Sequence, residues 1–363
     1  METLHLAACD IGGSGGKLFK AEYGDGLLSL STVHRFDNAP LALGDGLYWN
    51  ILAIYNAVLK GLMGLGGERI DSFAVDAFAN DFILLDQRGQ LLEMPHTYRD
   101  ARTTGMVERM DAFWPSETLY ARTGIQRNRM NTLYQLLSLT LERPEILDAA
   151  AKMLFIPDAI HYFLTGHAVT EYTLASVSQT CAIHEKNWDT ELLERIGFPT
   201  RLLTPIVPSG AFVGHMNPNI AAALNMPSIP IRTTAGHDTA SAIVGVPADG
   251  GPFAYISSGT WSVVGMETPE PVMNEVASRF SLANEGGVCG TIRLLKNVNG
   301  LWLIQECRRQ WAAEGQPLSY SEISSSAAAA PAFGPIIDPD LDCFTTPGRI
   351  AAMVLEHANA HGA

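Results

Sequence analysis

The chain has 363 residues, with 24 Lys plus Arg against 38 Asp plus Glu and a formal net charge of −14. That length predicts two domains, and the acidic balance excludes the basic surface that nucleic acid or an anionic membrane would need as a partner. Hydrophobic residues make up 47% and charged residues 17%, the composition of a soluble globular protein with ample core. The five cysteines (Cys9, Cys181, Cys289, Cys307, Cys343) are odd in number, widely spaced and without a C-x-x-C pair. They fit inert thiols in a reducing compartment rather than a disulfide framework or zinc site. Met1–Ala8 has no basic n-region and leads straight into strand-like residues, and no apolar run reaches membrane-spanning length, so a cytoplasmic location is expected.

The first predicted element is a hairpin: Leu4–Ala8, a tip Asp10-Ile-Gly-Gly-Ser-Gly-Gly-Lys17, and a return strand from Leu18. Tyr48–Leu65 follows with Ile51, Ile54, Tyr55, Val58, Leu59 and Leu62 at helical spacing. Ile70–Asp76 and Asp81–Asp86 read as strands, and Asn131–Leu141 and Glu145–Met153 as helices separated by Pro144. Ile229–Thr234 is a short strand running into Gly236-His-Asp-Thr239, with a small-residue helix over Ala240–Val246. Pro247–Pro252 carries the composition of a domain boundary. A second hairpin follows: Phe253–Ile256, a tip Ser257-Ser-Gly-Thr260, and Trp261–Val264. Asn297 is expected to begin a helix carrying Leu301, Trp302, Ile304 and Gln305. Ser324–Pro347 reads as loop with one short helical piece, and Ile350–His361 as a helix. Strands mixed with helices throughout predict an α/β fold.

Both hairpin tips offer backbone N–H groups and hydroxyls without bulky side chains, which suits a phosphate cradle, although each alone is also an ordinary glycine turn. The first tip is not a P-loop, because Gly12 stands one residue too close to Gly16-Lys17 and Leu18 replaces Ser or Thr. Nor is it a dinucleotide fingerprint, since a strand rather than a helix follows the glycines. Asp10 at the mouth of this tip suits a magnesium ion held through water, with Lys17 on phosphate oxygens. Its plainer reading is an Asx-turn residue. Asp238, at a strand-to-helix junction, is either an N-cap or a general base taking a proton from a substrate hydroxyl. His237 and Thr239 flank it. Asn297 is likewise either a cap or a ligand contact.

Taken together, these stretches resemble the FGGY carbohydrate kinases. The resemblance is carried by His34-Arg-Phe-Asp-Asn38, Tyr98-Arg-Asp-Ala-Arg-Thr103, Thr123-Gly-Ile-Gln126, Asn131-Thr-Leu-Tyr-Gln135, Ile156-Pro-Asp158, Tyr162-Phe-Leu-Thr-Gly166 and Glu171-Tyr-Thr173. Gly236–Ser241, Ser257–Ser262, Asn284–Gly287, Leu295–Asn297 and Gly300–Leu303 continue it in the same order. It implies an actin-like ATPase fold of two ribonuclease-H-like lobes, 1–246 and a partial 247–363, with the active site between them. It also implies ATP and Mg2+ as cofactors and transfer of the γ-phosphoryl group to the 1-hydroxyl of a small-molecule ketose. By matching position, Gly13, Ser14, Gly15, Gly16, Lys17, Thr260 and Gln305 fall in the nucleotide site. Ala79, His237, Asp238, Thr239 and Asn297 fall in the sugar site, with Asp238 as proton acceptor.

Within the family the segments are most similar to those of the kinases of L-rhamnulose, and three departures stand out. Where those members read Asp-Thr-Trp-Gly-Val-Asp-Phe, this chain reads Asp76-Ala-Phe-Ala-Asn-Asp-Phe82. The glycine that approaches the sugar is therefore Ala79, which keeps another ketose such as L-fuculose open. Lys17 replaces an Arg, trading a planar fork for a point charge. FGGY kinases also continue well beyond the point where this sequence stops, through the loop that holds adenine and ribose. A catalytically dead sugar-binding remnant is thus the reading from a different class.

Overall fold

Period-two burial along the N-terminal strands builds the central sheet. In β1 (Leu4–Ile11) Ala7, Cys9 and Ile11 face the core, and in the strand Ser72–Ala77 the same is true of Phe73, Val75 and Ala77. β2 (Gly15–Gly24) returns antiparallel to β1, and β3 (Leu27–Asp37) pairs antiparallel with β2. The six-stranded sheet runs Phe212–His215, Pro230–Arg232, Ser72–Ala77, β1, β2, β3, with the two contacts among the middle three strands in parallel. The sequence pattern names no strand at β3, because it is an edge strand with Leu27, Leu28 and Leu30 exposed.

The computed structural model describes residues 2–259, 261–332, 334, 336–339, 341–345 and 349–360. Two units are distinguished: Met1–Gly251 with Glu267–Leu294, and Pro252–Met266 with Leu295–Ala363. Pro247–Pro252 is exposed and lacks helix or strand, while Glu267–Leu294 goes with the first unit.

In the first unit, α1 (Ile51–Met63) lays Ile51, Ile54, Val58 and Leu62 on the core that also holds Ile11, Leu18, Phe73 and Ile231. Asn50 caps it, its side-chain oxygen accepting from the Ala53 N–H at 3.0 Å. A second core gathers Phe82, Leu84, Leu133, Leu136, Leu137, Met153 and Phe155. The helix expected over Glu145–Met153 stops at Ala149, and Lys152–Phe155 is a strand antiparallel to Phe82–Leu85. Pro144 opens that helix at its first turn rather than merely breaking the chain.

In the second unit, Ala254–Ser258 and Trp261–Thr268 form the second hairpin, with Ala254 opposite Met266 and Ser258 opposite Ser262. The expected helix from Asn297 is corrected: Asn297 lies inside the strand Ile292–Asn299, and the helix begins at Trp302. Gly300 separates the two, and a Cβ there would sit 2.3 Å from Ser262 Oγ, so only glycine allows this approach. Tyr320–Ala329 is a helix opened by a capping box of Ser319 and Glu322, longer than the short piece expected there. No described helix is long and apolar enough to cross a membrane.

Candidate active site

Three carboxylates meet at the C-terminal ends of the parallel strands in the first unit, where α/β sheets commonly bind ligands. Asp10, the penultimate residue of β1, is paired in register with Lys17 on one side and Asp76 on the other. It is thus a strand residue rather than an Asx-turn residue. Burial and the Asp238 charge raise its pKa, and Lys17 opposes them. Asp76 is pushed up to about 7, first by burial and also by the charges of Asp10 and Asp238, with a Ser241 hydrogen bond opposing. Its Oδ1 is buried without a hydrogen-bond partner among the described residues. Residue-type reasoning placed Asp76 in a strand and missed it as a site residue; the strand register is what brings it beside Asp10.

Asp238 is the first residue of the helix Asp238–Val244, and His237 holds the N-cap position. Asp238 thus lies one residue past the cap position, yet its carboxylate still satisfies a free amide of the first turn. Its Oδ1 accepts from the Thr239 N–H at 2.6 Å and from Thr239 Oγ1 at 3.3 Å, and its side chain stays 36% exposed. Gly236 continues the sheet, its carbonyl accepting from Ala77 N–H at 2.9 Å. The turn is pinned from beneath by Glu171, whose Oε2 accepts the Gly236 N–H at 2.9 Å and the Thr173 N–H at 2.8 Å. Thr173 Oγ1 in turn accepts the His237 N–H at 3.1 Å. Ser209 Oγ donates to Glu171 Oε1 at 2.6 Å. Burial raises the Glu171 pKa against these hydrogen bonds.

The glycine tip of the first hairpin separates into two kinds of position. A Cβ on Gly16 would lie 2.1 Å from the Phe36 ring, and one on Gly15 would lie 2.9 Å from the Phe36 carbonyl oxygen, so the fold itself requires those glycines. A Cβ on Gly13 would meet only Tyr98 Oη at 3.7 Å and Trp49 at 3.9 Å, ordinary contact distances. The fold leaves Gly13 free to be larger, yet it stands exposed at the tip with Ser14. Lys17 is exposed as well.

The turn after Asp76 is held by a buried polar network. Asn80 has φ 76°, a left-handed conformation that Asn tolerates far better than a β-branched residue. Its carbonyl accepts from Thr132 Oγ1 at 2.9 Å and Gln135 Nε2 at 3.2 Å. Asp81, fully buried, accepts from Trp49 Nε1 at 2.6 Å and Gln135 Nε2 at 3.1 Å, and burial lifts its pKa to about 7. Arg102 donates to Gln135 Oε1 at 2.7 Å. Ala79 is 8% exposed and packs in the core of Phe82 and Leu84, while the Phe78 ring lies with its centroid 4.5 Å from that of Trp49, tilted by 33°. In the second unit Asn297 is exposed and Gln305 half-buried, and Thr260 lies outside the described residues.

A divalent cation fits the first-unit carboxylates. Asp10 and Asp76 carry more negative charge than Lys17 relieves, and Asp76 Oδ1 has no donor among the described residues. Among the described residues no three His, Cys, Asp or Glu side chains are arranged to hold a metal directly. A hydrated magnesium ion uses one or two carboxylates, with water or phosphate oxygen making up the rest.

Residues 47–245 match the N-terminal domain, and residues 254–357 the C-terminal domain, of the FGGY family of carbohydrate kinases. The chain belongs to the FGGY family. Among curated relatives of this FGGY chain, a rhamnulokinase of Bacteroides thetaiotaomicron is 38% identical over 357 residues, covering 98% of this chain and 73% of that protein. A rhamnulokinase of Pectobacterium carotovorum is also 38% identical, over all of this chain and 72% of that protein. Among solved structures, xylulose kinase from Rhodospirillum rubrum superposes with a TM-score of 0.79 at 18% identity, over 99% of this chain and 78% of that one. Xylulose kinase from Lactobacillus acidophilus gives 0.78 at 20% identity, over 90% of this chain and 66% of that one. Plasmodium falciparum glycerol kinase, solved with ADP, gives 0.76 at 17% identity, over 99% of this chain and 76% of that one. These likenesses establish the actin-like ATPase fold of two ribonuclease-H-like lobes.

Proposed function

We propose that this FGGY chain transfers the γ-phosphoryl group of ATP to the 1-hydroxyl of a ketose in the cytoplasm, with L-rhamnulose as the sugar. The observation that carries this reading is Asp238: a carboxylate at the first position of a helix, 36% exposed, beside His237 and within electrostatic reach of Asp10 and Asp76. As the 1-hydroxyl attacks phosphorus, Asp238 takes its proton, the role a carboxylate plays in kinases. His237 and Thr239 orient the sugar hydroxyls. Gly13 to Lys17 hold phosphate oxygens through backbone N–H groups and the Lys17 ammonium. Asp10, with Asp76 beside it, would hold a magnesium ion, which would supply charge neutralisation at the phosphates.

The rhamnulokinase relatives support the choice of sugar. The Phe78-Ala79-Asn80 turn favours a second reading, a different ketose such as L-fuculose, because its left-handed Asn80 is absent from the sequence usual in L-rhamnulose kinases. ADP release on a panel of ketoses, with this chain and its Asp238→Asn variant, tests both. Ketose-dependent release lost in the variant is expected. Ketose binding by calorimetry with no ketose-dependent turnover would instead mark a sugar-binding remnant.

A further inference from the structure

The sugar-site reading uses His237 but says nothing of the buried pair behind it. Arg293 is 1% exposed and Glu285 5%, and both stand next to the imidazole. Arg293 Nη2 donates to Glu285 Oε2 at 2.8 Å and lies 3.2 Å from His237 Nδ1, while its Nε donates to the Gly286 carbonyl at 3.1 Å. The strand carrying Glu285 is itself tied down: Gly286 N–H donates to Ser176 Oγ at 2.7 Å, and Asn284 N–H to the Gly124 carbonyl at 2.8 Å. The guanidinium therefore has little freedom to turn away from the ring.

Nδ1 faces both members of the pair, and they ask opposite things of it. Glu285 Oε2, 3.5 Å away, can only accept, so it would favour a proton on Nδ1. Arg293 can only donate, so it requires a lone pair there. Arg293 is the nearer of the two, and it already occupies the oxygen that would compete. Although burial works against the charged form of Glu285, the Arg293 guanidinium is the largest influence opposing it, and the carboxyl is held below its ordinary range. The pair is then nearly neutral as seen from the ring. A lone pair on Nδ1 leaves the proton on Nε2, which lies 3.5 Å from Asp238 Oδ1.

We propose that Arg293, with Glu285 holding it, is a positioning residue that fixes His237 as its Nε2–H form and aims that N–H at the edge of Asp238 where the acceptor hydroxyl must sit. The proposal rests on the sugar-site reading for its purpose, but the ring state is a property of the protein alone. With Nε2–H, His237 donates one hydrogen bond to a sugar oxygen while leaving the Asp238 carboxylate free to accept the proton. With the opposite tautomer, a lone pair on Nε2 would face the Asp238 carboxylate, and the same sugar oxygen would lose its donor.

The test is nitrogen NMR on protein labelled with 15N-histidine, the His237 signals being assigned with His237→Gln. Wild type is expected to show an unprotonated Nδ1 and a protonated Nε2. A protonated Nδ1 in wild type overturns the proposal, whatever the enzyme's activity. Arg293→Met leaves Glu285 as the sole neighbour of Nδ1, so the ring should become Nδ1–H or doubly protonated. Glu285→Gln retains the Arg293 donor, and the wild-type pattern should persist. Arg293→Lys, which still donates, should restore it. An unchanged ring state in a folded Arg293→Met protein also overturns the proposal. Where ketose turnover is present, Arg293→Met should raise KM for the ketose about tenfold, the scale of one lost hydrogen bond, and leave KM for ATP unchanged. Absence of ketose turnover in wild type with the expected ring state would refute the proposed function and leave the positioning intact.

Discussion

Replacing Asp76 by Asn should stabilise the protein at neutral pH. In the folded chain the Asp76 carboxyl titrates at about 7 instead of 3.8, because it is withdrawn from water and faces Asp10 and Asp238. A raised acid pKa means that the folded state binds the proton more tightly than the unfolded chain does. Stability therefore falls as pH rises from about 3.8 through about 7, and the full cost is present above that window. A shift of this size corresponds to at most about 4 kcal/mol, at 1.36 kcal/mol per unit of pKa. Asn keeps the shape and never ionises. Denaturant unfolding followed by tryptophan fluorescence should give nearly equal midpoints for wild type and Asp76→Asn at pH 4. At pH 8 the variant should unfold at clearly higher denaturant. Phosphoryl transfer should fall in the same variant, since the same charge is what a magnesium ion would use. A gap that does not change with pH, or a variant less stable than wild type at pH 8, would refute the argument. Asp238→Asn should narrow the gap, because it removes one of the two repelling charges.

Asp238→Asn should also reduce turnover by about 10²-fold or more, the scale of general-base effects, with ketose binding by calorimetry retained. Gly13→Ala should leave the unfolding midpoint within error yet weaken ATP binding, whereas Gly16→Ala should lower the midpoint through its clash with Phe36; equal effects on both properties at both positions would remove the distinction. Asn80→Val should destabilise by about 1–2 kcal/mol, since a β-branched residue resists positive φ, while Asn80→Gly should cost less. Ala79→Gly should shift preference across a panel of ketoses toward L-rhamnulose, and an unchanged ranking would mean that this position does not read the sugar.

Several features were plain in the residues themselves: the two glycine hairpins, the acid ending the first strand, the Gly236-His-Asp-Thr239 junction, and α1 with its 3.6-residue apolar stripe. Each is a local pattern, in which periodicity, turn chemistry and a capping residue act within one or two turns of chain. What the sequence left open was decided by partners far along the chain. Asp238 read as a cap or a base, and only the fold shows it one residue past the cap position, still accepting the Thr239 N–H and in reach of Asp10 and Asp76. Asp76 became a site residue only through its register against Asp10, and strand register depends on which faces the core buries. Asn297 read as a helix start because local propensity cannot register that its strand runs on to Asn299, where the close approach of Gly300 to Ser262 breaks the chain. The neighbours that govern His237 stand about fifty residues beyond it, brought there by a strand anchored on Gly124 and Ser176. Charge, tautomer and burial are set by everything within a few ångströms in space, and only the tertiary fold determines which residues those are.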